Sequence, residues 1–208
     1  MKQNETDLWA EEHRIFAQQG DILICGVDEA GAGPLAGPVY AAAVILPKDL
    51  TLPCLNDSKK LTERRRELLF PQIKEHAVAW AIAIASAEEI DEVNILNARM
   101  LAMERAISQL EPKADFVLID GNCSRGISCQ NETLIKGDSR SASVAAASIL
   151  AKVSRDHYML ELAEQYPQYR FEKHKGYGTK LHYEMLERYG PSPVHRKSFL
   201  KKFYEQRY

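Results

Sequence analysis

The chain has 208 residues, of which 45% are hydrophobic and 27% charged, with a formal net charge of −2. That is enough sequence to bury a sizeable core and suits one large domain or a domain with an appendage. No apolar run approaches the ~20 residues needed to span a bilayer, and the polar N-terminus lacks the apolar centre of a signal peptide, so a cytoplasmic protein is expected. Cys25, Cys54, Cys123 and Cys129 show no Cys-x-x-Cys spacing, which speaks for free thiols rather than a structural zinc or a redox pair.

Taken in order, Thr6 to Gln18 reads as a helix with Trp9, Ile15 and Phe16 as its apolar contacts. Ile22 to Asp28 is the first expected strand. A loop from Glu29 to Pro38 leads into the short apolar run Val39 to Leu46, a buried strand stopped by Pro47. Thr62 can cap a helix from Glu63 to about Glu75, with Glu63 to Arg66 as a surface face. Ala77 to Ser86 alternates large apolar residues with alanines and reads as a third strand. Ile90 to Leu110 repeats its apolar residues at helical spacings, and Pro112 follows its end.

Ala114 to Asp120 is expected to be a buried strand that delivers Asp120 to its end just before Gly121. A short strand near Thr133 to Ile135 precedes Lys136, Gly137 and Asp138. Ser141 to about Gln165 reads as a long helix whose first half is built from small residues, which lets its axis lie close to a sheet. Early strands at hairpin spacing, followed by strand and helix in alternation, predict an α/β fold with a mixed sheet.

Charge divides the chain. Residues 170–208 hold ten Lys/Arg against four Asp/Glu, a balance of +6, so the first 169 residues carry −8. Phe171, Tyr177, Tyr183, Tyr189, Phe199, Phe203, Tyr204 and Tyr208 interleave with these bases, as in a surface that meets a polyanion. We therefore expect a catalytic domain over residues 1–165 and a basic helical region over 166–208 packed on it.

The chemistry is concentrated in four acids. Asp28 and Glu29 end one strand, Asp120 ends another, and Asp138 precedes the long helix. Strand ends are where open α/β sheets gather ligands. Mg²⁺ and Mn²⁺ prefer carboxylate and water oxygens, and a pair of such ions can stabilise both the attacking and the leaving oxygen of phosphodiester hydrolysis. Asp156 lies ~27 Å along the helix axis from Asp138 at ~1.5 Å per residue, so it is set aside as a salt-bridge or surface residue. His174, His182 and His195 lack zinc-site spacing.

Gly31-Ala32-Gly33-Pro34 is followed by a strand, not a helix, which disfavours a dinucleotide-cofactor oxidoreductase. Its glycines instead let backbone approach a sugar-phosphate chain closely. Tyr177, between two glycines with Lys175 and Lys180 nearby, can stack on a base or sugar while the lysines meet phosphates. A binding module whose acids are structural stays open as the alternative, separable by its lack of metal-dependent product.

The segments GVDEAGAGPLAGPV, NDSKKLT, VLIDGN, KGDSRSASVAAASILAKVSRD, HKGYGT and HRKSF, in order over about residues 25 to 199, resemble the type 2 ribonucleases H, specifically the bacterial ribonuclease HII family. The resemblance implies a ribonuclease H-like mixed sheet flanked by helices and a monomeric, Mg²⁺- or Mn²⁺-dependent endonuclease. Its expected substrates are RNA/DNA hybrids and DNA duplexes containing ribonucleotides. On the same grounds Asp28, Glu29, Asp120 and Asp138 look like the catalytic metal-binding acids. Gly31, Ala32 and Gly33 resemble the loop that senses the ribose 2′-hydroxyl, and Tyr177 the tyrosine that stacks on the adjoining deoxyribose; Lys59 and Lys175 join them as substrate-binding residues. The chain departs from the family in one place: the family loop usually reads Gly-Arg-Gly, so any contact of that arginine side chain is absent at Ala32.

Overall fold

A computed structural model describes residues 7–53, 55 and 61–205. Along the chain come helix α1 (Ala10–Gln19), strands β1 (Ile24–Ala30) and β2 (Val39–Ile45), helix α2 (Glu63–His76), strand β3 (Ala79–Ala85), helix α3 (Ala87–Ser108), strands β4 (Phe116–Asp120) and β5 (Asn131–Leu134) and the long helix α4 (Ala142–Gln165). Three short helices follow, α5 (Phe171–His174), α6 (Lys180–Tyr189) and α7 (Lys201–Glu205). The strands form one sheet in the order β3-β2-β1-β4-β5. β1 and β2, and β2 and β3, pair antiparallel, whereas β1 and β4, and β4 and β5, pair parallel. This is the expected mixed sheet, with the acid-bearing β1 at its centre. The expected helix start at Thr6 lies outside the described residues.

Strand alternation assigns the faces of β1. Cys25 and Val27 pack into the core beneath α3, while Gly26 and Asp28 turn to the other face, toward α4. At Gly26 a Cβ would lie 2.1 Å from the carbonyl carbon of Ser143, so this glycine lets the start of α4 touch the sheet. The small residues Ala142, Ala146 and Ala147 of α4 then pack with Ala42 and Val44 of β2. Glu12 of α1, 1% exposed, pins this helix start: it accepts hydrogen bonds from the Ser141 hydroxyl at 2.6 Å and from the Ser143 amide and hydroxyl at 3.1 and 2.7 Å.

Three local features go beyond the sequence reading, each for a local reason. β1 runs to Ala30, not Asp28, because its pairing with β2 continues to Ala30 opposite Tyr40; Glu29 is therefore a strand residue. α3 breaks at Asn94, whose φ of 66° is left-handed and whose side-chain oxygen caps the next segment through the amides of Leu96 and Asn97. In β3 it is the alanines 79, 81, 83 and 85 that face the α3 core, while Trp80 and Ile84 stand partly exposed on the edge strand.

The C-terminal half of α4 and the chain after it build a smaller apolar cluster from Met159, Leu162, Tyr169, Phe171, Leu186 and Leu200, and the loop residues Leu35 and Ala36 plug into it. That packing joins the β1–β2 loop to the basic C-terminal region.

Candidate active site

β1 and β4 are parallel neighbours with Val27 opposite Ile119, so the next residue on each strand, Asp28 and Asp120, emerges at the same end of the sheet. Asp28 is buried, at 3% exposure. It accepts the Glu29 amide at 2.7 Å and bonds the Ser148 side chain. Burial first, then the negative charges of Glu29 and Asp120, push its pKa well above the ordinary carboxylate value. Glu29 points from the other face of the strand, where Arg99 of α3 meets it at 2.7 Å. Asp120 accepts the Gly137 amide at 2.7 Å, which ties the single turn Gly137–Ser139, and with it the buried Asp138, to the end of β4.

The opposite wall belongs to the glycine loop and the segment His174 to Gly178, here called the strap. The loop is stitched to the C-terminal region by backbone hydrogen bonds: Leu35 donates to Gly176, Gly37 to Val194, and the Arg196 amide to Leu35, each at 2.8 Å. Gly176 sits at φ +85°, where a Cβ would strike the Ala36 carbonyl oxygen at 2.7 Å. The Tyr177 ring, 45% exposed, reaches within 3.8 Å of where a Cβ on Gly33 would stand.

Three buried histidines brace the strap, and their partners fix every tautomer. His174 accepts the Gly176 amide through Nδ1 at 3.2 Å and donates from Nε2 to the Tyr169 carbonyl at 2.9 Å. His182 donates from Nδ1 to the Tyr177 carbonyl at 3.0 Å, which leaves its Nε2 to accept the Nε2–H of His195, also at 3.0 Å. His195 Nδ1 accepts the Ser192 amide at 3.0 Å. Each ring is thus neutral with both nitrogens satisfied. Burial accordingly pulls the pKa values of His182 and His195 down to about 4.

One cleft of about 250 Å³ gathers Asp28, Glu29, Asp120, Gly31, Ala32, Gly33 and Tyr177. Asp138 is buried and does not line it; its neighbour Gly137 is bonded to Asp120. Lys175 does not line it: the lysine carbonyl is taken by Arg155 at 3.1 Å and its ammonium lies 3.3 Å from the Glu172 carbonyl. Lys59 lies outside the described residues.

The cleft also contains Arg66, Ser148 and Lys152, which the sequence reading passed over. Arg66, expected on a surface face of α2, lines the cleft instead. Ser148 and Lys152 are one turn apart on α4, a spacing that becomes informative once that helix is known to lie against Asp28. Asp156, one turn further on and 6% exposed, holds Lys152 at 2.7 Å, which makes it a buried salt-bridge residue.

Clustered carboxylates with hard oxygen donors, one of them, Asp28, held above its ordinary pKa by burial and by its neighbours, fit a divalent cation. Among the described residues no three His, Cys, Asp or Glu side chains converge on one point at ligating distance. A divalent cation that keeps several of its waters suits such a site.

Residues 25–202 match the family model for ribonuclease HII. Among curated proteins, the chain is 57% identical over 187 residues to the ribonuclease HII of Endomicrobium trichonymphae, covering 89% of each. It is 49% identical over 201 residues to that of Caldicellulosiruptor bescii, covering 97% of this chain and 98% of the relative. Among solved structures it resembles the ribonuclease H2 of Pyrococcus horikoshii OT3, with a TM-score of 0.72 at 25% identity over 88% of this chain and 97% of the other. The ribonuclease HII solved with PCNA from Archaeoglobus fulgidus gives a TM-score of 0.72 at 25% identity, over 85% and 94%. The strand ends, the acids they carry and these likenesses agree, and the chain belongs to the ribonuclease HII family of endoribonucleases, hydrolases of phosphodiester bonds that act on RNA/DNA hybrids.

Proposed function

We propose that the protein cuts the RNA strand of RNA/DNA hybrids and also incises DNA duplexes at embedded ribonucleotides, leaving 5′-phosphate and 3′-hydroxyl ends, as a Mg²⁺- or Mn²⁺-dependent monomer of the cytoplasm. The observation that supports this best is the meeting of Asp28, Glu29 and Asp120 with the glycine loop and Tyr177 in one cleft. In this reading residues 1–165 form the catalytic unit, residues 166–208 the duplex-holding region, and Asp28, Glu29, Asp120 and Asp138 hold the metal. Two such ions, held by these acids, would supply Lewis-acid stabilisation of the attacking and leaving oxygens and make a bound water more acidic than bulk water.

The chain's own groups do the rest. The Gly137 amide and the Ser148 side chain hold Asp120 and Asp28 in place before substrate arrives, so little reorganisation is left for the reaction itself. Lys152 and Arg66 bring positive charge to the cleft for the phosphate backbone. The loop backbone meets the ribose 2′-hydroxyl, the group that separates RNA from DNA, and Tyr177 stacks on the adjoining deoxyribose. The water oxygen bonds to phosphorus as the P–O3′ bond breaks; the water gives up a proton to solvent and the 3′-oxygen takes one from solvent, so the two balance. Lys59 is kept as a phosphate contact on the resemblance, and Lys175 on the resemblance and its place beside Tyr177. A gel assay on a duplex with one embedded ribonucleotide checks the whole reading: a single incision with Mg²⁺ or Mn²⁺ and none with chelator is expected. Uncut substrate in both metals sinks it.

A further inference from the structure

The acids of the cleft stand on opposite faces of the sheet. Ile24 of β1 and Phe116 and Leu118 of β4 pack with Val144 of α4, so strand alternation puts Asp28 and Asp120 on the α4 face as well. Glu29 follows Cys25 and Val27 onto the face beneath α3. There it meets Arg99, carried by the part of α3 beyond its break at Asn94 and flanked by the buried Ala98 and Met100. Arg99 Nη2 donates to Glu29 Oε1 at 2.7 Å, with 27% of the arginine side chain and 11% of the glutamate side chain exposed. The same Nη2 stands 3.9 Å from where a Cβ on Gly121 would be, so the guanidinium lies close to the ends of both β1 and β4.

The donors that hold these acids differ in charge. Among the described residues, Asp28 is met by the Glu29 amide and the Ser148 side chain, and Asp120 by the Gly137 amide. Those donors are neutral and leave the negative charge of each aspartate in place. Glu29 is met by a full positive charge. Its Oε1 is engaged by the guanidinium, and its Oε2 is closed to solvent. Arg99 Nε is buried and finds no hydrogen-bond partner among the described residues. The arginine thus leaves one donor desolvated and unmet to reach this carboxylate, which ties its placement to Glu29 rather than to the helix that carries it.

We infer that Arg99 is a positioning residue that acts through Glu29: it holds this carboxylate on the α3 side of β1, and a divalent cation entering the cleft has to draw Glu29 away from the guanidinium. This rests on the reading of these acids as metal ligands proposed above. Parting a charge-assisted hydrogen bond at a partly desolvated site opposes the gain from the new ligand. Arg99 therefore lowers the affinity of the cleft for the ion. In return it offsets the repulsion that three neighbouring carboxylates exert on one another, and it keeps Glu29 in one place on its strand. Asp28 and Asp120 are ready acids, and Glu29 is a conditional one.

The test titrates the full chain, free of nucleic acid, with Mn²⁺ and follows the unbound ion by electron paramagnetic resonance. Arg99→Met removes the charge and keeps an unbranched side chain, and its affinity for Mn²⁺ is expected to rise about tenfold, the scale of one charge-assisted hydrogen bond. Arg99→Lys, with a cation still in reach, should bind like the parent. In a Glu29→Gln chain, Arg99→Met should change the affinity by less than about twofold, a dependence on Glu29 that a merely structural role would not produce. In the unaltered protein, the side-chain nitrogen NMR signals of Arg99 should shift as Mg²⁺ is added, with the same midpoint as the carboxyl carbon of Glu29. Unchanged or weaker Mn²⁺ binding by Arg99→Met, or Arg99 signals that stay in place through the Mg²⁺ titration, overturns the inference. The NMR experiment decides it even if no variant folds. A parent that binds neither Mn²⁺ nor Mg²⁺ refutes the metal-site reading instead.

Discussion

The two walls of the cleft are built by different means. On one, Asp28 and Asp120 are fixed by a strand register, and any sequence that pairs β1 with β4 puts them side by side. On the other, the glycine loop and Tyr177 are held by side chains reaching backbone: Arg155, Arg196 and a chain of neutral histidines. The acid wall stores repulsion, because burial and neighbouring charge raise the pKa of Asp28. The loop wall stores desolvated nitrogen, because burial lowers His182 and His195. Chemistry and recognition therefore fail separately, under different mutations and at different pH.

The largest effect is expected on the acid wall. Asp120→Asn keeps the shape and the oxygen that accepts the Gly137 amide but removes the charge. Cleavage should drop below detection while duplex binding, measured by gel shift, stays near that of the parent. Retained turnover would remove Asp120 from the reacting centre.

Next comes acid sensitivity of the loop wall. The ordinary histidine pKa is 6.5, and His182 and His195 titrate at about 4 in the folded protein. Between those values the unfolded chain binds more protons than the folded one, so stability is full above about pH 6.5 and falls as pH drops toward 4. One such histidine contributes on the order of 3 kcal/mol. Protonating His182 would set two N–H groups against each other at the bond to His195, and His174, stacked 4.3 Å from His182, adds to the repulsion. Urea unfolding at pH 7 and pH 5 should show this loss, and His195→Gln should flatten the slope. Equal slopes in parent and variant would assign acid sensitivity to other groups.

The acid wall was largely legible in the sequence because it depends on position along strands. A strand expected to end near Asp28 and Glu29, another ending in Asp120 and a glycine before Asp138 picked out those acids as candidates, although β1 runs on to Ala30, and the small residues of α4 announced its close approach to the sheet. The loop wall was legible only in part. Its glycines and Tyr177 stood out by composition, but Arg196 is 164 residues from Ala32, and nothing local to HRKSF shows that its guanidinium enters the loop. Arg66, Ser148 and Lys152 were missed for a related reason: each lies on a helix whose facing is set by packing. The break in α3 was hidden because Asn94 sits inside an otherwise unbroken apolar period and acts through its cap.

A smaller effect tests what Tyr177 adds. Stacking on a base or sugar is worth about 1–3 kcal/mol, so Tyr177→Ala should raise KM for the ribonucleotide duplex by about 5- to 150-fold. Because the ring is 45% exposed and the strap is held by backbone and histidines, folding should be little affected. Tyr177→Phe keeps the ring and should behave like the parent. An equal loss in both variants would shift the role from the ring to its hydroxyl.

The smallest expected effect is at Ala32, and it separates backbone from side chain on the loop wall. If the amides of Ala32 and Gly33 read the ribose, the arginine of the usual family loop is an added phosphate contact and not the reader. Ala32→Arg should then strengthen duplex binding in low salt and steepen the dependence of log K on log salt by about one unit, as one further phosphate contact does. The choice of ribonucleotide over deoxyribonucleotide should stay as it is, since the Ala32 carbonyl still meets Arg196 and its peptide plane is unchanged. A gain in ribonucleotide preference without a change in salt dependence would give the side chain the reading role and leave the amide pair as support for the loop.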